Sequence, residues 1–230
     1  MAPQLPEYAI IVAGGSGTRM QHDVPKQFIE VAGKPILMHT IERFYKYSAA
    51  IRLIVVLPQE QLSTWRELCR KYNFKLFHMI VAGGTTRFGS VKNGLGAVIG
   101  EGLIAVHDGV RPFVDTETIQ EAYKTAAATG SAVVAVSPKD SIRELTQEGS
   151  SAVPRAKYKL VQTPQVFQAS ILRQAYEQPE KEWFTDDASV VESIGERITL
   201  VEGSYRNIKI TTPEDLILAE AFAAQNQQGA

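Results

Sequence analysis

The sequence predicts an α/β fold, a mostly parallel sheet covered by helices on both faces. Two observations carry this. Short apolar runs alternate with amphipathic segments along most of the chain. Polar turns containing glycine, Gly14-Gly15, Gly83-Gly84 and Asp108-Gly109, each follow such a run directly. In sheets of this kind ligands sit beyond the carboxyl ends of the strands, so the same turns mark where a site is expected.

The elements follow in order. Residues 8–13 read as a buried strand stopped by Gly14-Gly15, and residues 34–47 place Ile36, Leu37, Ile41 and Phe44 at helical spacing. Residues 51–57 form a second apolar run stopped by Pro58, followed by a helix over 59–72 and a third strand over 76–81. A helix over 91–99 is weakened by Gly94 and Gly96. Residues 103–107 are a fourth strand, 115–128 a helix with Asp115 as N-cap and Glu117 in its first turn, and 132–136 a fifth strand. From 138 to 158 the chain turns polar, with a turn signal at Glu148-Gly149-Ser150, which predicts a hairpin projecting from the body, the alternative being a disordered loop. The pattern resumes with a short helix over 186–194 and a strand over 198–201. Thr212-Pro213-Glu214-Asp215 then opens a final helix to about residue 225, with Thr212 as cap and Pro213 at the first helical position. The whole is a Rossmann-like three-layer sandwich with a projecting β-hairpin arm, a single domain over 1–230 with the arm at 138–160.

Composition narrows the function. The 230 residues carry a formal net charge of −1, which lacks the basic excess of a nucleic-acid or membrane-surface protein. The apolar run at 8–13 is too short for a signal or a membrane span. Cys69 is the single cysteine, so no intrachain disulfide can form; a packing role and a reducing cytoplasm are expected. The four histidines, His22, His39, His78 and His107, show no metal-ligand spacing.

The chemistry is concentrated in the glycine turns. Ala13-Gly14-Gly15-Ser16-Gly17-Thr18-Arg19-Met20 can wrap phosphate oxygens with backbone N–H groups. It lacks the Gly-Lys-Ser/Thr of a Walker A loop, and Met20 breaks the dinucleotide fingerprint, which argues against a dehydrogenase. Arg19 and Lys26 are two cations close to that loop, able to neutralise charge growing on a triphosphate; the alternative is a tight turn with two solvated cations. Asp108, just past a buried run, can approach a hard cation such as Mg²⁺ directly or through water, and Arg111 can grip a phosphate; alternatively Asp108 caps the turn and Arg111 pairs with it. His107 reads as a packed strand-end residue. Thr85 or Thr86 is a candidate N-cap, and Lys209 a cation suited to a phosphomonoester or a snorkelling strand lysine.

Together these residues resemble the 2-C-methyl-D-erythritol 4-phosphate cytidylyltransferases of non-mevalonate isoprenoid biosynthesis. The likeness covers about residues 8–222. It rests on Ala-Gly-Gly-x-Gly-x-Arg-Met at Ala13, Pro-Lys-Gln-Phe at Pro25, Gly-Gly-x-x-Arg-x-x-Ser-Val at Gly83 and Val-His-Asp-x-x-Arg-Pro at Val106. Thr-Pro-Gln at Thr163, Thr-Asp-Asp-Ala-Ser at Thr185 and Asn-Ile-Lys-Ile-Thr at Asn207 continue it.

The resemblance implies a nucleotidyltransferase that uses CTP and Mg²⁺, with Arg19 and Lys26 stabilising the transition state at the α-phosphorus. Ala13, Gly14, Gly84 and Ser90 would line the cytidine site, with Gly15, Gly17 and Arg87 completing the nucleotide site. Asp108 would lie near the metal and the substrate. Arg155 and Lys209 would hold the methylerythritol phosphate, and Gly109, Arg111, Ser141 and Thr163 would assist at the substrate. The resemblance also implies a homodimer, the arm of each subunit reaching the other's site. Gly109-Val110 stands where Ala-Ala is usual, which adds backbone freedom near the substrate, and Ser141 replaces Thr but keeps the hydroxyl. Ribitol 5-phosphate cytidylyltransferases share most of these motifs, and a catalytically dead CTP-binding module is a further alternative. Thr185–Ser189 and the spacing from Arg155 to Thr163 favour methylerythritol phosphate.

Overall fold

The structure, a computed structural model, describes residues 5–15 and 24–228. Its centre is a set of continuous apolar strands: β1 (Glu7–Val12), β4 (Arg52–Leu57), β6 (Leu103–Asp108) and β7 (Ser131–Val136). Every residue of β6 and β7 is buried, as expected of strands covered on both faces. Between β1 and β4 lie a small hairpin, β2 (Glu30–Val31) and β3 (Lys34–Pro35), and helix α1 (Ile36–Tyr47). Helix α2 (Leu62–Lys71) leads to β5 (Met79–Ala82), α3 (Arg87–Leu95) precedes β6, and α4 (Thr116–Thr129) joins β6 to β7. The arm strands β8 (Ile142–Thr146) and β9 (Gly149–Val153) follow, then β10 (Leu160–Gln168), α5 (Ala169–Glu177), α6 (Asp187–Glu192), β11 (Leu200–Glu202) and α7 (Pro213–Gln228).

The seven-stranded sheet has the order β11-β7-β10-β6-β1-β4-β5. All neighbouring pairs are parallel except those of β10, which runs antiparallel between β6 and β7. Alternation sorts the side chains into two cores. Ala9 and Ile11 face α1, α2 and α4 through Leu37, Phe44, Trp65 and Tyr123, while Tyr8 and Ile10 face α3, α5 and α6 through Phe88, Val91, Leu172 and Val190. This is the Rossmann-like three-layer arrangement. A third cluster seats α7 against the β2–β3 hairpin through Val31, Ile36, Ile210 and Ala219.

Local chemistry sets the ends of the helices. Asp115 Oδ1 accepts the Thr118 N–H at 2.6 Å, and Gly130 closes α4 at φ 91°. Ahead of α7, Asp215 Oδ2 accepts the N–H groups of Thr211 and Thr212, at 2.8 and 2.9 Å. Cys69 packs against the first core, and burial pushes its thiol up to about 11.

Several expectations change. The third strand starts at Met79 rather than residue 76 and forms one edge of the sheet. The helix expected over 91–99 runs from Arg87 to Leu95, and α7 continues to Gln228. Strand β10 and helix α5 are not expected from the apolar pattern. Among the described residues the arm pairs with no strand of the main sheet, and Leu145 at its tip is 85% exposed. Gly94 marks close packing in the middle of α3, because a Cβ there would lie 2.7 Å from Ile10 Cγ2 and 3.0 Å from Val56 Cγ2. Gly94→Val should therefore destabilise the chain by about 2–3 kcal/mol through overpacking. Urea unfolding measures this; a variant as stable as the parent would contradict the packing.

Candidate active site

Three strand ends open together. Val12, the last residue of β1, pairs with Val56 on one side and Asp108 on the other. The chain leaving β1 keeps those neighbours, with the Ala13 N–H donating to Val56 O at 2.9 Å and the Gly109 N–H to Val12 O at 2.8 Å. Gly14 and Gly15, Gly84, and Asp108 therefore share one cleft with Lys26, Arg87, Ser90 and Lys209.

Its walls are built by close approach. A Cβ on Gly84 would sit 2.8 Å from the backbone carbon of Gly89, so only glycine fits. Ser90 Oγ accepts the Gly84 N–H at 3.2 Å and donates to Thr86 O at 2.8 Å, tying the turn to the first turn of α3. Thr86 is the N-cap, its hydroxyl accepting the Gly89 N–H at 3.0 Å. On the other wall, Lys26 opens a 3-10 turn, Lys26–Phe28, whose Phe28 ring stacks on Trp65 at 5.9 Å. That anchor holds the Lys26 ammonium over Gly15, where a Cβ would lie 2.9 Å from Nζ.

The floor is a closed set of hydrogen bonds around Asp108. Its Oδ2 accepts a hydrogen bond from Arg111 Nε at 3.1 Å and forms an ion pair with Lys209 Nζ at 3.2 Å. Arg111 also donates to Asn207 O at 2.8 Å, and Asn207 Nδ2 donates to Thr163 O at 2.8 Å. Thr163 Oγ1 accepts the Asp108 N–H at 3.0 Å and lies 3.1 Å from His107 Nδ1, while His107 Nε2 lies 3.1 Å from Arg111 O. A carbonyl only accepts, so His107 Nε2 carries the proton and Nδ1 accepts from the threonine hydroxyl. Burial pushes the Asp108 carboxyl up, but Lys209, Arg111 and Arg87 outweigh it and hold the group below the usual carboxylate range. Burial drives His107 down to about 4.

Of the residues singled out from sequence, Ala13, Gly14, Gly15, Lys26, Gly84, Arg87, Ser90, Asp108 and Lys209 line the cleft. Gly17 and Arg19 lie outside the described residues. Arg111 pairs with the Asp108 carboxylate, the alternative expected for it, and Thr163 accepts the Asp108 backbone N–H. Gly109 is buried, and a Cβ there would lie 2.8 Å from Ala13 Cβ and 3.2 Å from Leu37 Cδ1. That glycine therefore sits in close packing against β1 and α1. Ser141 and Arg155 are exposed at the foot of the arm, where Arg155 donates to Lys139 O, and neither lines the cleft of its own chain. Asp187, Tyr176 and Asn207 carry contacts that the sequence did not single out; Asp187 and Asn207 stand inside the quoted motifs, which was the available signal. Among the described residues no group of three or more His, Cys, Asp or Glu is placed to hold a metal ion.

Cations gathered at the carboxyl ends of a parallel sheet, beside glycine turns that admit a ligand to the backbone, define a phosphate-handling α/β enzyme. The comparisons make this specific. A family profile described as IspD: 2-C-methyl-D-erythritol 4-phosphate cytidylyltransferase matches residues 8–225. The chain is 53% identical over 215 residues to a protein of that name from Phocaeicola vulgatus, covering 94% of this chain and 98% of that protein. It is 41% identical over 226 residues to one from Halalkalibacterium halodurans, covering 96% and 99%. A 4-diphosphocytidyl-2C-methyl-D-erythritol synthase structure from Anaerococcus prevotii superposes with a TM-score of 0.81 at 30% identity, covering 96% of each chain. A 2-C-methyl-D-erythritol 4-phosphate cytidylyltransferase structure from Thermus thermophilus gives 0.77 at 31%, covering 96% and 99%. The chain belongs to the 2-C-methyl-D-erythritol 4-phosphate cytidylyltransferase family.

The floor makes a prediction about protonation. The unfolded chain takes up a proton at His107 near 6.5, whereas the folded chain resists until about 4, so this histidine costs stability progressively as pH falls between those values. Nitrogen-detected NMR at pH 6 should show His107 as the neutral Nε2–H tautomer. Titration near its ordinary value would contradict the geometry.

Proposed function

We propose that the chain transfers CMP from CTP to 2-C-methyl-D-erythritol 4-phosphate, giving 4-diphosphocytidyl-2-C-methyl-D-erythritol and pyrophosphate. The observation that carries this is the meeting, in one cleft, of the Lys26 ammonium over the first glycine turn and Lys209 on Asp108. The reaction is in-line: an oxygen of the substrate phosphate attacks the α-phosphorus and pyrophosphate leaves. A phosphate dianion is already nucleophilic near neutral pH, so the protein needs no general base and no covalent intermediate; it supplies position and charge.

Lys26, with Arg19 by family likeness, stabilises the charge that grows on the α-phosphate. The backbone of Ala13, Gly14 and Gly84, with Ser90, receives the cytidine. Lys209 holds the polyol phosphate, and Asp108 holds Lys209. Asp108 fits a divalent cation as a single protein ligand: Oδ2 serves the two cations, and among the described residues no hydrogen bond reaches Oδ1. Asp108 would hold Mg²⁺, which would supply charge neutralisation at the triphosphate.

The arm fits a homodimer contact. An isolated two-stranded hairpin is marginal in water, and the arm exposes Leu145, Tyr158 and Leu160, with Tyr205 exposed outside it. Arg155, at its foot, then serves the neighbouring subunit's substrate. Among the described residues no helix is long and apolar enough to cross a membrane, and a cytoplasmic location fits the single free thiol.

Pyrophosphate release with CTP tests the reading: methylerythritol phosphate should exceed ribitol 5-phosphate in kcat/KM by about tenfold or more, and a preference for ribitol phosphate would overturn it. Lys26→Ala should lower kcat about a hundredfold, roughly 3 kcal/mol, with the fold retained. Mixed dimers of Lys26→Ala and Arg155→Ala subunits should recover activity that neither homodimer has; no recovery would rule out a site shared between subunits.

A further inference from the structure

Arg87 opens α3 and lines the cleft beside Gly84 and Ser90. Its guanidinium is clamped along one edge, where Nη2 donates to Asp187 Oδ2. Asp187 is the first residue of α6 and its side chain is fully buried. The other carboxylate oxygen accepts the Tyr176 O–H at 2.7 Å. Tyr176, in α5, stacks on Phe88, the neighbour of Arg87, with ring centroids 4.6 Å apart. Three helices thus meet at one carboxylate.

The electrostatics leave each group a single role. Burial raises the Tyr176 phenol well above its ordinary range, so it stays protonated and can only donate to Asp187. Burial disfavours the Arg87 cation, but Asp187 outweighs this and keeps the guanidinium charged. Among the described residues Asp187 is the one hydrogen-bond acceptor for this guanidinium, which has five N–H donors. The side chain keeps 32% of its exposure, against none for Asp187. A purely structural arginine would be enclosed on both edges. This one is held on one edge and open to the cleft on the other, close enough to Asp108 to help hold that carboxyl down.

We propose that Asp187 and Tyr176 are positioning residues that aim Arg87 at an acceptor oxygen of the nucleotide. The location favours the nucleotide over the polyol phosphate, because Arg87 belongs to the wall formed by Gly84 and Ser90, while Lys209 reaches the cleft from the segment ahead of α7. The inference rests on the CTP reading above and adds which buried groups set nucleotide affinity.

Calorimetric titration of the full chain with CTP alone, together with KM for each substrate, tests it. Asp187→Asn and Arg87→Lys should each weaken CTP binding about tenfold, the lysine because it keeps the charge but loses the planar fork. Tyr176→Phe keeps the ring stack and loses one hydrogen bond, so about threefold is expected, and it decides the matter if Asp187→Asn does not fold. KM for the polyol phosphate should stay within about twofold throughout. Parental CTP affinity in folded Tyr176→Phe and Arg87→Lys, or an equal rise in both KM values, would overturn the proposal. A parent chain that bound CTP yet released no pyrophosphate with either polyol would instead overturn the transferase reading, and the CTP affinities would still decide for or against the clamp.

Discussion

One carboxylate organises this molecule. Asp108 is nearly buried at the end of β6, and an unpaired buried charge is strongly unfavourable. It is held by Lys209 and Arg111 at one oxygen and by Thr163 at its backbone N–H, and the ring closes through His107 and Asn207. These partners come from three stretches of chain, so the end of β6, the middle of β10 and the segment before α7 are fixed to one another. Lys209, the cation that lines the cleft, is placed by the same anion that needs it.

That requirement explains the irregular part of the sheet. A chain of βα units would give parallel strands throughout, yet β10 enters antiparallel between β6 and β7 and shifts register between Val161 and Gln165. The irregular stretch spans Gln162, Thr163 and Pro164, consistent with the rule that proline sits in sheets only at edges or bulges. Thr163 serves Asp108, Gln162 receives Asn207, and Gln165 accepts from the Ala188 N–H at 2.8 Å while donating to Asp186 at 3.0 Å, which ties α6 to the sheet.

The same features decided what was legible in the sequence. The inner runs of β1, β4, β6 and β7 (residues 8–12, 53–57, 103–106 and 132–136) are apolar without interruption because they are covered on both faces, and they read directly. β10 did not, because its centre is polar: Gln162, Thr163 and Gln165 are buried but paid for by hydrogen bonds, and these break the pattern that identifies a strand. Gly94 suggested a weak helix, when it marks where α3 touches Ile10 and Val56. At the site, position past a strand end pointed to the turns at Gly14, Gly84 and Asp108, while the family resemblance was needed to choose a site role for Lys26 and Lys209; all five line the cleft. The Arg111–Asp108 pair, three residues apart, was among the readings the sequence offered, but spacing could not show that Arg111 also reaches Asn207 or that Thr163 takes the Asp108 N–H, contacts that join residues 96 and 55 positions apart. Nor could it show that Asp187 reaches back 100 positions to Arg87.

Thr163 Oγ1 is the node through which the ring closes, and replacing it tests the account most directly. Thr163→Val preserves volume but leaves the Asp108 N–H and His107 Nδ1 without their partner, and Thr163→Ser restores it. With CTP and methylerythritol phosphate, the valine variant should lose about tenfold or more in kcat/KM while the serine variant stays near the parent. A folded valine variant with parental turnover would show that Asp108 does not depend on the ring.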